Sequence, residues 1–237
     1  DRKDGIFMKP IVRNIGVLYP EAQLEAQRKR YKTAECSFAE YFGSLGEHRF
    51  FSAPGRTEIC GNHTDHNNGK VFAASVDLDV IAVVEQTEDN IVTIKSEGFP
   101  EDKIDLSDLD VKDEEKNTSA ALIRGVARGF RRNGHKIGGF RAYTASTVMK
   151  GSGLSSSAAF EVLVGTVMSH LYNGGQISPV KIAQISQFAE NEYFGKPSGL
   201  MDQMACSVGG FVAIDFKDND TPIIESVPCD FASYGHA

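Results

Sequence analysis

Gly151-Ser152-Gly153-Leu154-Ser155-Ser156-Ser157-Ala158-Ala159 runs without a break into the apolar stretch Phe160–Leu171. Glycines let a backbone approach a ligand closely and turn its N–H groups inward. Serines suit the cap of a helix, whose N-terminus carries partial positive charge. The segment therefore predicts a loop that opens a helix over 155–171 and offers an anion site, with phosphate the usual occupant. It is not a Walker loop, because no Gly-Lys-Ser/Thr follows. Taken alone, it fits a plain glycine–serine turn as well.

Outward from this loop the hydrophobic period alternates between the two regular types. Leu122, Ile123, Val126, Ala127 and Phe130 recur at three and four residues, which predicts a helix from Ser119 closed by Gly134. Gly139–Thr147 alternates at Phe140, Ala142 and Thr144 and reads as a strand. Ser178-Pro179 opens a further helix with a good cap and first residue, Ser198–Val208 reads as a short helix, and Gly210–Phe216 as a strand. Before the loop, Pro20–Phe38 predicts a helix with Leu24, Tyr31, Ala34 and Phe38 on one stripe, ended by Gly43. Arg49–Ser52, Val71–Gln86 and Asn90–Lys95 read as strands, the last two as a hairpin, and acidic 101–116 as a solvated surface loop. No repeat, low-complexity tract or linker interrupts the chain. The expectation is one α+β domain over 1–237, with 1–19 a flexible or edge segment.

The chain has 237 residues, 41% hydrophobic and 24% charged, which is ordinary for a folded globular protein. Its net charge of −7, from 25 basic against 32 acidic residues, gives no encouragement to nucleic-acid or anionic-membrane binding. No run approaches the roughly 18–20 apolar residues of a bilayer span, and the first residues lack a signal-peptide core. Cys36, Cys60, Cys206 and Cys229 are far apart, fit no zinc spacing, and read as reduced cytoplasmic thiols. Protein partners stay open.

Two other segments concentrate polar groups. Between two apolar strands, residues 53–69 hold Arg56, Glu58, His63, Asp65 and His66 among three glycines and a proline. Rigidly anchored loops of this kind hold ligand groups, although a decorated hairpin reads the same way. His63 and His66 lack a third soft ligand, which argues against a histidine metal site. The second segment is 190–203, where Glu190 and Asp202 lie on either side of a Gly195…Pro197 reversal. Two carboxylates placed so can converge, one on a metal and one on a proton.

Taken together, the three segments resemble one family. Pro54-Gly55-Arg56, Gly61-Asn62-His63-Thr64-Asp65 and Asn68-Gly69 resemble the sugar-recognition signature of the galactokinases, and Gly199-Leu200-Met201-Asp202-Gln203 resembles their catalytic segment. Gly151–Ala158 is similar to the phosphate loop of the wider galactokinase, homoserine, mevalonate and phosphomevalonate kinase family. The resemblance spans about residues 15 to 237 in the family's order and spacing.

It implies a mixed sheet with helices on one face, a ribosomal-protein-S5-domain-2-like fold, and ATP-dependent phosphorylation of the anomeric hydroxyl of galactose with Mg²⁺. Asp202 would be the catalytic base, with Arg56 beside it keeping the aspartate ionised and countering charge in transfer. Arg56, Glu58, Asn62, His63, Asp65, Gly199 and Asp202 would surround the sugar. Gly151, Ser152, Gly153, Leu154, Ser155, Ser156, Ser157 and Ala158 would cradle ATP, and Ser157 and Glu190 would hold the metal.

The sequence departs from the family twice at the sugar loop. The usual Gly-Glu-His is Gly61-Asn62-His63, and the usual Asn two residues after the arginine is Glu58. One lost hydrogen bond is worth about 0.5–3 kcal/mol, enough to shift preference among hexoses. The ferredoxin-like second domain of the family has no counterpart here, so these 237 residues alone are expected to turn over little or no substrate. The competing expectations are a kinase for N-acetylgalactosamine, arabinose or a heptose, and a non-catalytic galactose/ATP sensor.

Overall fold

The structure, a computed structural model, describes residues 14–43, 46–218 and 220–229. Among these, seven strands form one mixed sheet: β1 (His48–Cys60), β2 (Lys70–Gln86), β3 (Ile91–Ser96), β4 (Glu101–Asp105), β5 (Phe140–Ser146), β6 (Phe211–Asp215) and β7 (Ile223–Ser226). Five helices accompany them: α1 (Leu24–Phe42), α2 (Ser119–Arg132), α3 (Ser156–Tyr172), α4 (Pro179–Ala189) and α5 (Met201–Val208).

The long strand β2 organises the sheet. Along one edge it pairs antiparallel with β1, from Phe72 to Glu85. Its other edge is shared end to end, with β6 against Lys70–Ala74 and β5 against Val80–Gln86. The order is β4-β3-β5-β2-β6-β7, and only β3 and β5 run parallel. The expected hairpin of 71–86 with 90–95 therefore does not form, because β5 lies between the two strands. β3 makes its hairpin with β4 instead, Ile91 opposite Asp105. Residues 101–105, expected in a surface loop, are the outer strand of the sheet. Their acidic side chains alternate with a buried Ile104, and Leu106 and Leu109 beyond are buried too.

Val80-Ile81-Ala82-Val83-Val84 is buried throughout, which requires cover on both faces of the sheet. Val80, Ala82 and Val84 belong to the main core with α2, α3 and α4, while Ile81 and Val83 meet Ala34 and Phe38 of α1 on the opposite face. The expected face of helices is there in α2–α5, and among the described helices α1 alone covers the other side. Gly43, at φ 80°, ends α1 in the left-handed conformation. Of the expected edge segment 1–19, residues 1–13 lie outside the described residues. Tyr19 is buried, and its hydroxyl donates to Asp79, which also accepts from Ser52 and Arg30.

Two features of the helical layer aim the site. A Cβ on Gly125 of α2 would come within 2.7 Å of Ala189, so α2 and α4 pack backbone to backbone. The last residues of α4 are thereby fixed, and Glu190 begins a single π-turn, Glu190–Phe194, closed by Gly195 at φ 85°. α5 lies over β2 and β6 through Met201, Met204 and Ala205.

Candidate active site

Half of the expected sugar loop is strand. β1 continues through Pro54 and Arg56 to Cys60, with register shifts between Pro54 and Arg56 and between Glu58 and Cys60. Proline and bulges are tolerated because, among the described residues, β1 pairs with β2 alone. The first shift turns Arg56 inward, where it is 8% exposed. The irregular part is 61–69, with a 3₁₀ turn over Thr64–Asn67.

Arg56 meets Asp202 in a two-pronged ion pair. Its Nε donates to Oδ1 at 2.7 Å and its Nη2 to Oδ2 at 2.9 Å. Its Nη1 donates to the Gly153 carbonyl at 2.7 Å, and its backbone N–H to the Leu154 carbonyl at 3.1 Å. One arginine thus ties the phosphate loop to the first turn of α5. Ser155 adds a hydroxyl donor to Asp202 Oδ2. Burial pushes the Asp202 carboxyl up, but the hydrogen bonds and charge of Arg56, with Ser155 and the charge of His63, hold it below the usual carboxylate range.

The phosphate loop alternates left-handed residues, Gly151 at φ 80°, Gly153 at φ 78° and Ser155 at φ 58°. The serines were expected to cap α3. Ser155 occupies the cap position but makes no side-chain cap bond, because its hydroxyl is turned to Asp202. The start of α3 therefore faces a cavity of about 250 Å³ lined by Arg56, Gly151, Gly153, Ser155–Ser157, Lys196 and Asp202 among others. Three members of the expected ATP set point elsewhere. Ser152 bonds back to the Met149 carbonyl, Leu154 packs on the core, and Ala158 is buried within it.

Ser157 and Glu190 converge as expected: the Ser157 hydroxyl donates to Glu190 Oε1 at 2.9 Å, and Lys196 Nζ reaches the same oxygen at 3.1 Å. Gln203 Nε2 holds Oε2 at 2.7 Å and also bonds Glu161 Oε2 at 3.2 Å. Glu161, Gln203 and Lys196 carry no expectation from sequence. Glu161 had a signal: it shares the face of α3 that buries Ala158, Gly165 and Met168. Burial raises the Glu161 carboxyl well above its ordinary value, and the Glu190 charge adds to it. Among the described residues, no group of three or more His, Cys, Asp or Glu side chains could hold a metal ion. A hydroxyl beside a carboxylate is the hard oxygen pair that suits Mg²⁺ when phosphates and water complete the shell.

Of the expected sugar residues, Arg56 and Asp202 line this cavity, whereas Glu58, Asn62, His63, Asp65 and Gly199 do not. Asp65, 5% exposed, accepts the Met201 N–H at 3.0 Å and so caps α5. Gly199 is packed against that carboxylate. Glu58 holds His63 twice, through the backbone N–H at 2.8 Å and the ring Nε2 at 3.1 Å. Asn62 and His63 are exposed and both left-handed, at φ 55° and 52°, a conformation that asparagine tolerates better than most residues.

Residues 121–210 match the GHMP kinases N terminal domain. The structure superposes on mevalonate kinase of Methanococcus jannaschii with a TM-score of 0.63 at 16% identity, covering 80% of this chain and 58% of that one, which shows the shared fold. In fold, and over the residues that include the loop opening α3, the chain is similar to the GHMP kinases N terminal domain.

Residues 37–86 match the galactokinase galactose-binding signature. The galactokinase of Lacticaseibacillus paracasei is 36% identical over 195 residues, covering 81% of this chain and 50% of that protein. A crystal structure of Lactococcus lactis galactokinase complexed with galactose aligns with a TM-score of 0.73 at 31% identity, over 82% of this chain and 51% of that one. Over these residues the chain is similar to galactokinases. It spans about half the length of the curated relatives it matches. No helix among the described residues is long and apolar enough to cross a membrane.

Proposed function

We propose that this chain supplies the sugar site, the phosphate loop and the catalytic aspartate of a kinase that transfers the terminal phosphoryl group of ATP to the anomeric hydroxyl of galactose. The observation that carries the reading is the Arg56–Asp202 pair, 2.7 and 2.9 Å, at the mouth of the glycine–serine loop.

Asp202 accepts the hydroxyl proton as the sugar oxygen attacks, and it is ionised to do so because Arg56 holds its carboxyl low. Arg56 keeps the carboxylate oriented and offsets charge that develops beside it. The phosphate loop presents backbone N–H groups and the start of α3 to the transferring phosphates. Ser157 and Glu190 would hold Mg²⁺, which supplies neutralisation of phosphate charge when bound. Little covalent work is asked of the protein, so positioning and electrostatics carry the rate. Glu58 fixes His63, and Asp65 fixes the turn at Gly199, so that these groups can meet sugar hydroxyls. The reading is a cytoplasmic one, in keeping with the exposed thiols of Cys36 and Cys60.

The test is calorimetric titration of galactose into the full-length protein and its Asp202→Asn variant, with turnover measured beside it. The variant should bind galactose within a few-fold of the parent and lose about 10²–10⁴-fold in turnover, the usual share of a general base. Normal turnover by the variant would end the assignment. One observation supports a second reading: Glu58 is spent on His63 and Asn62 is short and exposed, which favours a related hexose. A sugar panel compared by kcat/KM separates the two.

A further inference from the structure

Lys196 is absent from the sugar, phosphate and metal sets, yet it stands in the phosphate cavity. Gly195 leaves the π-turn left-handed, and the backbone N–H of Lys196 returns to the Glu190 carbonyl at 3.2 Å. Pro197 then fixes the chain on the far side. The side chain folds back over the same residue, its ammonium 3.1 Å from Glu190 Oε1. Main chain and side chain are therefore both anchored on the residue that the proposed function gives to the metal.

The two partners are buried very differently. The Glu190 side chain is 1% exposed and that of Lys196 55%. The carboxylate is fixed from behind by Gln203, whereas the lysine is free to swing. The cavity's other cation is Arg56, whose Nε, Nη1 and Nη2 are all engaged by Asp202 and Gly153. A nucleotide triphosphate brings several negative charges, and among the described lining residues Lys196 is the cation able to turn to them.

The geometry points to an exchange: we propose that Lys196 rests on Glu190 Oε1 in the absence of nucleotide and passes to the terminal phosphates of ATP when the metal-nucleotide enters. An ammonium and a divalent cation at the same carboxylate oxygen repel each other, so metal loading dislodges the lysine. The phosphates are then the nearest anions, and a charge-assisted bond to them replaces the one lost. This rests on the proposed role of Glu190 and Ser157 and adds to it a phosphate-binding residue supplied by the Gly195–Pro197 turn.

The experiment uses the full-length protein, its Lys196→Met and Lys196→Arg variants, and Glu190→Gln as reference. Mn²⁺ alone is titrated by electron paramagnetic resonance, and a non-hydrolysable ATP analogue with Mg²⁺ by calorimetry. Lys196→Met should bind Mn²⁺ several-fold more tightly, because the competing ammonium is gone. It should bind the ATP analogue about tenfold more weakly, because one charge-assisted contact is gone. Lys196→Arg should restore most of the nucleotide affinity. A lysine that only supports the turn would move both affinities the same way. Parallel changes, or no change in either, overturn the exchange while leaving Glu190 in place. If Glu190→Gln leaves Mn²⁺ affinity at the parental value, the metal assignment itself falls, and the exchange falls with it.

Discussion

Asp65 and Gly199 are in contact with no room for a side chain between them. A Cβ built on Gly199 would fall inside the Asp65 carboxylate, 2.8 Å even from its farther oxygen. That carboxylate caps α5 through the Met201 N–H, and α5 carries Asp202 one residue later. The turn that carries Asp65 and helix α5 are therefore joined at one glycine.

Gly199→Ala should break that joint. The methyl must displace Asp65, losing the cap at about 0.5–2 kcal/mol, with an overpacking cost of about 1–3 kcal/mol in addition. Asp65→Ala costs the cap but leaves space, so Gly199→Ala should be far less damaging in that background. Chemical denaturation of the four proteins checks this, and simple additivity would refute the contact.

The Arg56–Asp202 pair has a pH signature. Its folded carboxyl lies below the ordinary aspartate value of 3.8, so its stabilisation is complete above that value and is lost as pH falls through the folded one. In Arg56→Met, only Ser155 and the charge of His63 still counter burial, so the carboxyl rises relative to the parent and the variant gains less stability as pH climbs. The stability gap between parent and variant should therefore widen from pH 3 to pH 7, followed by urea denaturation. A gap that stays constant over that range contradicts the pair's role.

Glu161 titrates in the opposite sense. Its folded carboxyl is raised, so the folded state binds the extra proton and loses stability as pH rises above the ordinary glutamate value of 4.5. Its Oε1 has no hydrogen-bond partner among the described residues, which suits a neutral acid better than a carboxylate. Glu161→Gln should match the parent at pH 4 and exceed it progressively toward pH 8. Glu161→Leu should cost about 1–3 kcal/mol, because it leaves Gln203 short of a partner in a dry site. Parallel pH profiles for parent and Glu161→Gln would mean that Glu161 is ionised in the fold.

Much of this was legible in the sequence for a physical reason: period and punctuation are local. The helices from Ser119, Ser155 and Pro179 carry their own apolar stripes, Ser178 caps the last of them by accepting the Lys181 N–H, and the strand at Phe140 has its own alternation. The pairs Arg56–Asp202 and Ser157–Glu190 came from resemblance, since nothing local says that residues 146 and 33 positions apart meet. What stayed hidden was non-local or disguised. β5 separates β2 from β3 through pairing that neither strand announces. The charges of Glu101, Asp102 and Asp105 masked an edge strand whose inward side is Ile104. Pro54 and Gly55 read as loop because their strand's freedom from a second partner is a property of the sheet. Lys196 and Gln203 stood in plain view, but their roles depend on where the π-turn aims Glu190.

The Glu58–His63 clamp gives the last expectation, and it bears on the sugar. Two contacts from one carboxylate hold a left-handed histidine, one to its backbone N–H and one to its ring. Nothing in that clamp touches Asp202 directly, so loosening it should disturb sugar binding more than the transfer step. Glu58→Gln can keep one contact, since its amide oxygen still accepts the His63 N–H while the carboxylate contact to the ring is lost. Glu58→Ala loses both. Sugar affinity should fall in the order parent, Gln, Ala, by about 1.5–3 kcal/mol in total, the range for hydrogen bonds to charged groups. Steady-state kinetics on the full-length protein should show KM rising with kcat within a few-fold of the parent. If kcat falls and KM holds, His63 acts on the transition state, and its charge near Asp202 becomes the contact to follow.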